Sequence, residues 1–155
     1  MRKSISASEK IQSVFDDIHT KGFSSIRPFS IGMVERKMRN YANANNIDMA
    51  NGGLYMSYSS LAHSMRTTKK NRGNTVTEQE LIDFPKNRKG MDLYYDKGAK
   101  LFFYVDEANK AKYVVHPSYE LQLNNKKKKA VNFITASRIK STDNFHKDRV
   151  RYDKI

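Results

Sequence analysis

The chain has no cysteine. Disulfides, thiolate zinc sites and a cysteine nucleophile are thereby excluded, and a reducing compartment suits it. Long apolar runs are missing too. Nothing approaches the roughly 20 residues that a membrane-spanning helix needs. Met1-Arg2-Lys3-Ser4-Ile5 is not followed by an apolar signal segment. No basic amphipathic helix with a bulky apolar face stands out, so no membrane partner is expected.

Several chemistries are excluded by the motifs the chain lacks. It has no Walker-type glycine-rich loop, no GxSxG elbow and no HExxH. The four histidines, His19, His63, His116 and His146, lack zinc-ligand spacing. No acidic pair suits a two-metal nuclease, and Asp16-Asp17 has an ordinary place on a solvated helix face. No metal and no cofactor are therefore expected.

Acidic residues are scarce: 16 stand against 29 basic ones, a formal net charge of +13. Solubility alone asks for roughly 2 to 8 net charges. The surplus attracts polyanions, with an attraction that weakens as salt rises, and makes a nucleic acid the expected partner.

With 155 residues, 38% of them hydrophobic, the chain suits one domain with one modest core. Ser6 and Glu9 have capping-box spacing, Ile11, Val14, Phe15 and Ile18 follow at helical intervals, and Gly22 is a stop. Ile31, Val34, Met38 and Tyr41 predict a second helix over 31–42. The stretch 43–53, rich in Asn and Gly, reads as a loop. Leu54, Tyr58, Leu61 and Met65 mark a third helix that starts near Ser57 or Ser59 and runs to about Lys70. Thr77 and Glu80 start a short helix over 78–84, ended by Pro85.

The second half reads as strands. Met91 to Asp96 and Leu101 to Asp106 flank a hairpin turn at Lys97-Gly98-Ala99. A strand at Tyr113 to His116 is interrupted by Pro117 and resumes beyond a bend at Tyr119 to Leu123. A long strand covers about 128–139, and the last 15 residues read as a mobile tail. Helices followed by consecutive strands predict an α+β fold, N-terminal helices before an antiparallel sheet of about four strands. The expected organisation is a helical segment over 1–50, a core domain over 51–140 and a basic tail over 141–155.

Positive charge gathers on two elements. Residues 63–90 hold seven basic and three acidic side chains, and residues 121–155 hold ten and three. The hairpin between them is nearly neutral. Lys69, Lys70 and Arg72 on the first element, and Lys128, Lys129, Arg138 and Lys140 on the second, are the candidate nucleic-acid contacts.

This composition suits metal-independent cleavage of RNA. That reaction needs a base for the 2′-hydroxyl, an acid for the leaving 5′-oxygen, and cations for the charge on the phosphate. His63 and Arg66 put an imidazole and a guanidinium on one helix face. In the last strand Val131, Phe133, Thr135 and Ser137 alternate onto one side. Val131 and Phe133 read as directed into the core, and Thr135 and Ser137 as hydroxyls at its open edge. His116, before Pro117, reads as a strand-end residue. Most tyrosines of this half read as core, with one or two able to stack a base.

The order of parts, with the strand Val131-Asn132-Phe133-Ile134-Thr135-Ala136-Ser137, resembles the barnase–EndoU–colicin–RelE-like nucleases, especially their phage-associated, toxin-type branch. In that branch a helix carries a histidine and the closing strand an Asn-x-x-Thr-Ala motif. They map here to His63 and to Asn132, Thr135 and Ala136. The resemblance spans about residues 54–140 and implies a ribonuclease-type fold, RNA as substrate, an immunity or inhibitor protein as a further partner, and the host cytoplasm as location. It adds Asn132 to the nucleic-acid contacts. His63, Arg66, Thr135 and Ser137 are then the catalytic candidates, with a lysine or Arg138 clamping the phosphate. Two other functions fit the composition: a non-catalytic nucleic-acid-binding or inhibitory phage protein, and a small phage structural protein.

Overall fold

The structure, a computed structural model, describes residues 6–65, 75–122, 128–139, 141, 145 and 147–155. Helix α1 (Ala7–Lys21) starts where Ser6 Oγ accepts the Glu9 N–H at 3.1 Å. It ends at Gly22, whose left-handed backbone (φ 81°) lets its N–H reach the Ile18 carbonyl. Its buried stripe is Ile11, Val14 and Phe15. Strand β1 (Phe29–Met33), helix α2 (Arg36–Ala44), strand β2 (Gly53–Met56) and helix α3 (Tyr58–Ser64) follow. Helix α4 (Glu78–Asn87), capped by Thr77, leads through a 3₁₀ turn (Arg88–Gly90) to strands β3 (Asp92–Asp96), β4 (Leu101–Asp106), β5 (Ala111–Gln122), β6 (Lys128–Arg138) and β7 (Tyr152–Lys154).

The strands form one mixed sheet in the order β1-β2-β6-β5-β4-β3-β7. Every neighbouring pair is antiparallel except β2 with β6. The α+β class therefore stands, while the sheet has seven strands rather than about four. The extra strands come from both ends of the chain. Residues 29–33, within the span expected to be helical, extend the sheet through β1. The tail expected to be mobile docks through β7 on β3, with the Ile155 N–H on the Leu93 carbonyl at 2.8 Å. At β1, Phe29 and Ile31 are buried at two-residue spacing, which is a strand's period. Leu54, expected on the third helix, belongs to β2. Helix α4 runs past Pro85 instead of stopping there.

The main core lies between the helices and one sheet face, built from Leu93, Tyr95, Phe102, Tyr104, Tyr113, Val115, Ile134 and Ala136. On the other face Tyr94, Phe103, Val105 and Phe145 make a second, smaller cluster. Burial on both faces explains why β3 and β4 read as nearly continuous apolar runs. In β6 it is the 132/134/136 side that faces the helices. Val131 and Phe133, expected to point into that core, lie on the opposite face with Thr135 and Ser137.

A buried polar group ties this architecture together. Arg88 is 5% exposed and donates to Glu35, the residue before α2, at 2.6 Å. The Tyr104 hydroxyl donates to the other Glu35 oxygen. Burial and that carboxylate push the Tyr104 pKa up, so it stays protonated as a donor. Gly32 in β1 makes room for the guanidinium: its φ is 144°, and an added Cβ would stand 2.5 Å from Arg88 Nη2. Removing one partner of such a pair leaves a buried charge uncompensated. Arg88→Met should lower unfolding free energy by about 3–5 kcal/mol in denaturant melts, and Arg88→Met with Glu35→Leu should recover part of the loss.

Candidate active site on the β5–β6 face

The position of His63 follows from the shortness of β2. Past Met56 the chain leaves the sheet, and α3 occupies the edge of β6 that β2 no longer covers. A reciprocal capping box begins α3: the Ser60 N–H donates to Ser57 Oγ at 3.1 Å, and the Ser57 N–H to Ser60 Oγ at 2.9 Å. Ser64 pins its far end, its hydroxyl accepting the Ala136 N–H at 3.4 Å. A backbone N–H at the edge of β6 thus meets a side chain of α3. Ser59 and His63, one turn apart, form the exposed face of α3.

His116 and Tyr119 reach the same place through a bulge in β5. His116 opposes Phe133 and Tyr119 opposes Val131, so Pro117 and Ser118 together face Asn132 alone. Ser118 takes a positive φ of 51°. Side chains three residues apart on a regular strand point to opposite faces. The extra residue turns Tyr119 back to the face of His116. Proline costs nothing here, because the bulge already interrupts the ladder.

Ser59, Ser60, His63, His116, Tyr119, Phe133 and Thr135 line one cavity of about 230 Å³. Thr135 Oγ1 and His116 Nε2 are 3.2 Å apart, a hydrogen bond whose direction follows the imidazole tautomer. Burial lowers the His116 pKa below its ordinary 6.5, so the ring is neutral near pH 7. A neutral imidazole can accept a proton, and a second imidazole in the same cavity can donate one. The cavity is below the size usual for enclosing a whole small molecule, which suits gripping one linkage of a longer polymer. Among the described residues no lysine or arginine lines it.

The sequence candidates separate on this geometry. His63 and Thr135 share the cavity. Ser137 is on the same face but is paired with Lys112, farther along β6 and outside the described lining. Lys128 and Lys129 are exposed at the start of β6. Arg66, Lys69, Lys70, Arg72 and Lys140 lie outside the described residues. Asn132 and Arg138 are corrections. Asn132, expected to contact nucleic acid, is fully buried. Its side chain pairs with the Ala50 backbone in both directions (3.1 and 2.9 Å) and accepts the Ser118 N–H at 3.3 Å. Arg138, expected to clamp phosphate, points to the helix side. It is held by Glu80 at 2.6 Å and by the carbonyls of Asn109 and Thr75.

Sequence reasoning undervalued His116 and missed the placement of Tyr119. The Pro117 interruption signalled a bend, but not which face followed it. Among the described residues no group of three or more His, Asp and Glu could hold a metal ion. Likewise, no helix is long and apolar enough to cross a membrane.

No family model matches the chain, and no characterised protein or solved structure is detectably similar to it.

Two measurements check that geometry. Because the folded state depresses the His116 pKa, its contribution to stability is whole above about pH 6.5 and is lost as pH falls through the folded value. An NMR titration should therefore place the His116 midpoint below 6.5; a midpoint at or above it contradicts the burial. Asn132→Ala strands the Ala50 and Ser118 N–H groups and should cost about 2 kcal/mol or more in denaturant melts.

Proposed function

We propose that the chain is a metal-independent ribonuclease that cleaves RNA by attack of the 2′-hydroxyl on the adjacent phosphate. The observation that carries this reading is the pair of histidines from unrelated elements, His63 on α3 and His116 on β5, lining one cavity with Thr135. His116, kept neutral by burial, is the base that takes the 2′-hydroxyl proton. His63, the exposed imidazole of the pair, is the acid that gives a proton to the leaving 5′-oxygen. Accepting from His116 Nε2–H, the Thr135 hydroxyl orients the ring with Nδ1 as its basic nitrogen and keeps its own proton for a phosphate oxygen. The chain's charge of +13 draws RNA to the surface, and exposed Lys128 and Lys129 lie on the strand that carries Thr135. In the toxin-type setting that the resemblance implies, the substrate is host-cell RNA and an immunity protein is a further partner.

A second reading, a nucleic-acid binder without catalysis, is favoured by the absence of a cation among the described lining residues. The two separate cleanly. Incubated with single-stranded RNA in excess chelator, the protein should give fragments ending in 2′,3′-cyclic phosphate. His63→Ala and His116→Ala should each slow cleavage by roughly 10²–10⁴-fold while the circular dichroism spectrum is unchanged. The rate should fall on the acid side below pH 6.5, where His116 gains a proton and can no longer act as base. RNA left intact but bound, with neither variant altering affinity, selects the binder instead.

A further inference from the structure

The two histidines leave the aromatic wall of the cavity unexplained. Tyr119 is 46% exposed. Its ring stacks on Phe133, with centroids 5.0 Å apart and planes 17° from parallel. It also stands edge-on to His116, with centroids at 6.1 Å. One ring face is thus covered by a largely buried phenylalanine, and the exposure belongs to the rest of the ring. A single exposed aromatic is ordinary on a protein surface. This one differs in three respects. A positive-φ bulge brings it to this face, a stacked partner fixes its plane, and it borders a cavity that holds two histidines and a threonine.

A flat, rigid, half-exposed ring beside polar groups is the surface on which nucleic-acid-binding proteins stack unpaired bases, and such stacking tolerates any sequence. The charge on the same face is complementary. Lys129, exposed, is on the Phe133 side of β6 and four residues from it, about 13 Å along the strand. A polynucleotide running along β6 can therefore place a phosphate at Lys129 and a base on Tyr119.

We propose that Tyr119, backed by Phe133, is a stacking platform for an unpaired nucleobase next to the linkage held between His63 and His116, which makes single-stranded RNA the substrate. The link to a cleaved linkage rests on the ribonuclease reading; the platform itself needs only a polynucleotide. In a duplex the bases are already stacked on each other and offer no free face to a tyrosine.

The chain has no tryptophan, so Tyr119→Trp creates a lone tryptophan at the platform, excited selectively over the tyrosines. Titrated with a single-stranded 2′-O-methyl oligoribonucleotide, which lacks the attacking hydroxyl, its fluorescence should be quenched. The same oligonucleotide as a duplex, or with abasic residues throughout, should quench little. In fluorescence anisotropy with a labelled single strand, Tyr119→Ala should bind about 5- to 150-fold more weakly, and Tyr119→Phe within about twofold of the parent. Equal quenching by the abasic strand, or parent-like binding by Tyr119→Ala, overturns the platform. Quenching and the Tyr119→Ala loss without any cleavage of ordinary RNA would uphold the platform and remove the ribonuclease reading. Cleavage with Tyr119→Ala unaffected in binding does the reverse.

Discussion

The buried amide of Asn132 holds together the part of the molecule on which the candidate site depends. With no exposure to water, it replaces a backbone partner for Ala50 and at the same time accepts the N–H of Ser118. These groups belong to the loop before β2 and to the bulge of β5. Both are irregular segments whose backbone would otherwise be buried without partners, and such groups are costly to leave unsatisfied. The bulge sets the direction of Tyr119 and the loop leads into β2 and α3, so one side chain couples the placement of both walls of the cavity.

The sheet divides its labour between its faces. On the helix side, packing is dense and polar groups are paired internally, as in the Glu35–Arg88–Tyr104 group and the contacts of Arg138 with Glu80. These pairs use up charge that the sequence suggests is free. On the other face, the β3–β4 end is covered by Phe145 and by the Lys112 ammonium over Phe103 and Phe145. The β5–β6 end is more open, and there His63, His116, Tyr119 and Thr135 meet. A packed side with internally paired charges thus supports a face where polar groups stand at a surface, as precise positioning of side chains requires.

Much of the local structure was legible. The Ser6–Glu9 and Thr77–Glu80 caps, the Gly22 stop, the β3–β4 hairpin and the long β6 strand all follow from short-range rules, because a cap or turn is decided by residues within a few positions of one another. Two kinds of misreading have a long-range cause. Residues 29–33 and 152–154 became edge strands because a neighbouring strand offered hydrogen bonds, and nothing local encodes that offer. Arg138 and Asn132 turned inward because β6 presents its even-numbered side to the helices. Alternation groups residues into two sets but does not say which set faces the core.

By itself the sequence determined the absence of cysteine chemistry, the strong positive charge, the α+β class, and the residue types from which a site could be made. Those depend only on composition and local spacing. Only the tertiary structure decided which of them meet. His63 and His116 are 53 positions apart in sequence, and they line one cavity because β2 ends early, α3 takes its place on the edge of β6, and one extra residue in β5 re-aims the strand. Each of those events is a competition between distant segments for the same hydrogen bonds and the same buried space, which no window along the chain contains.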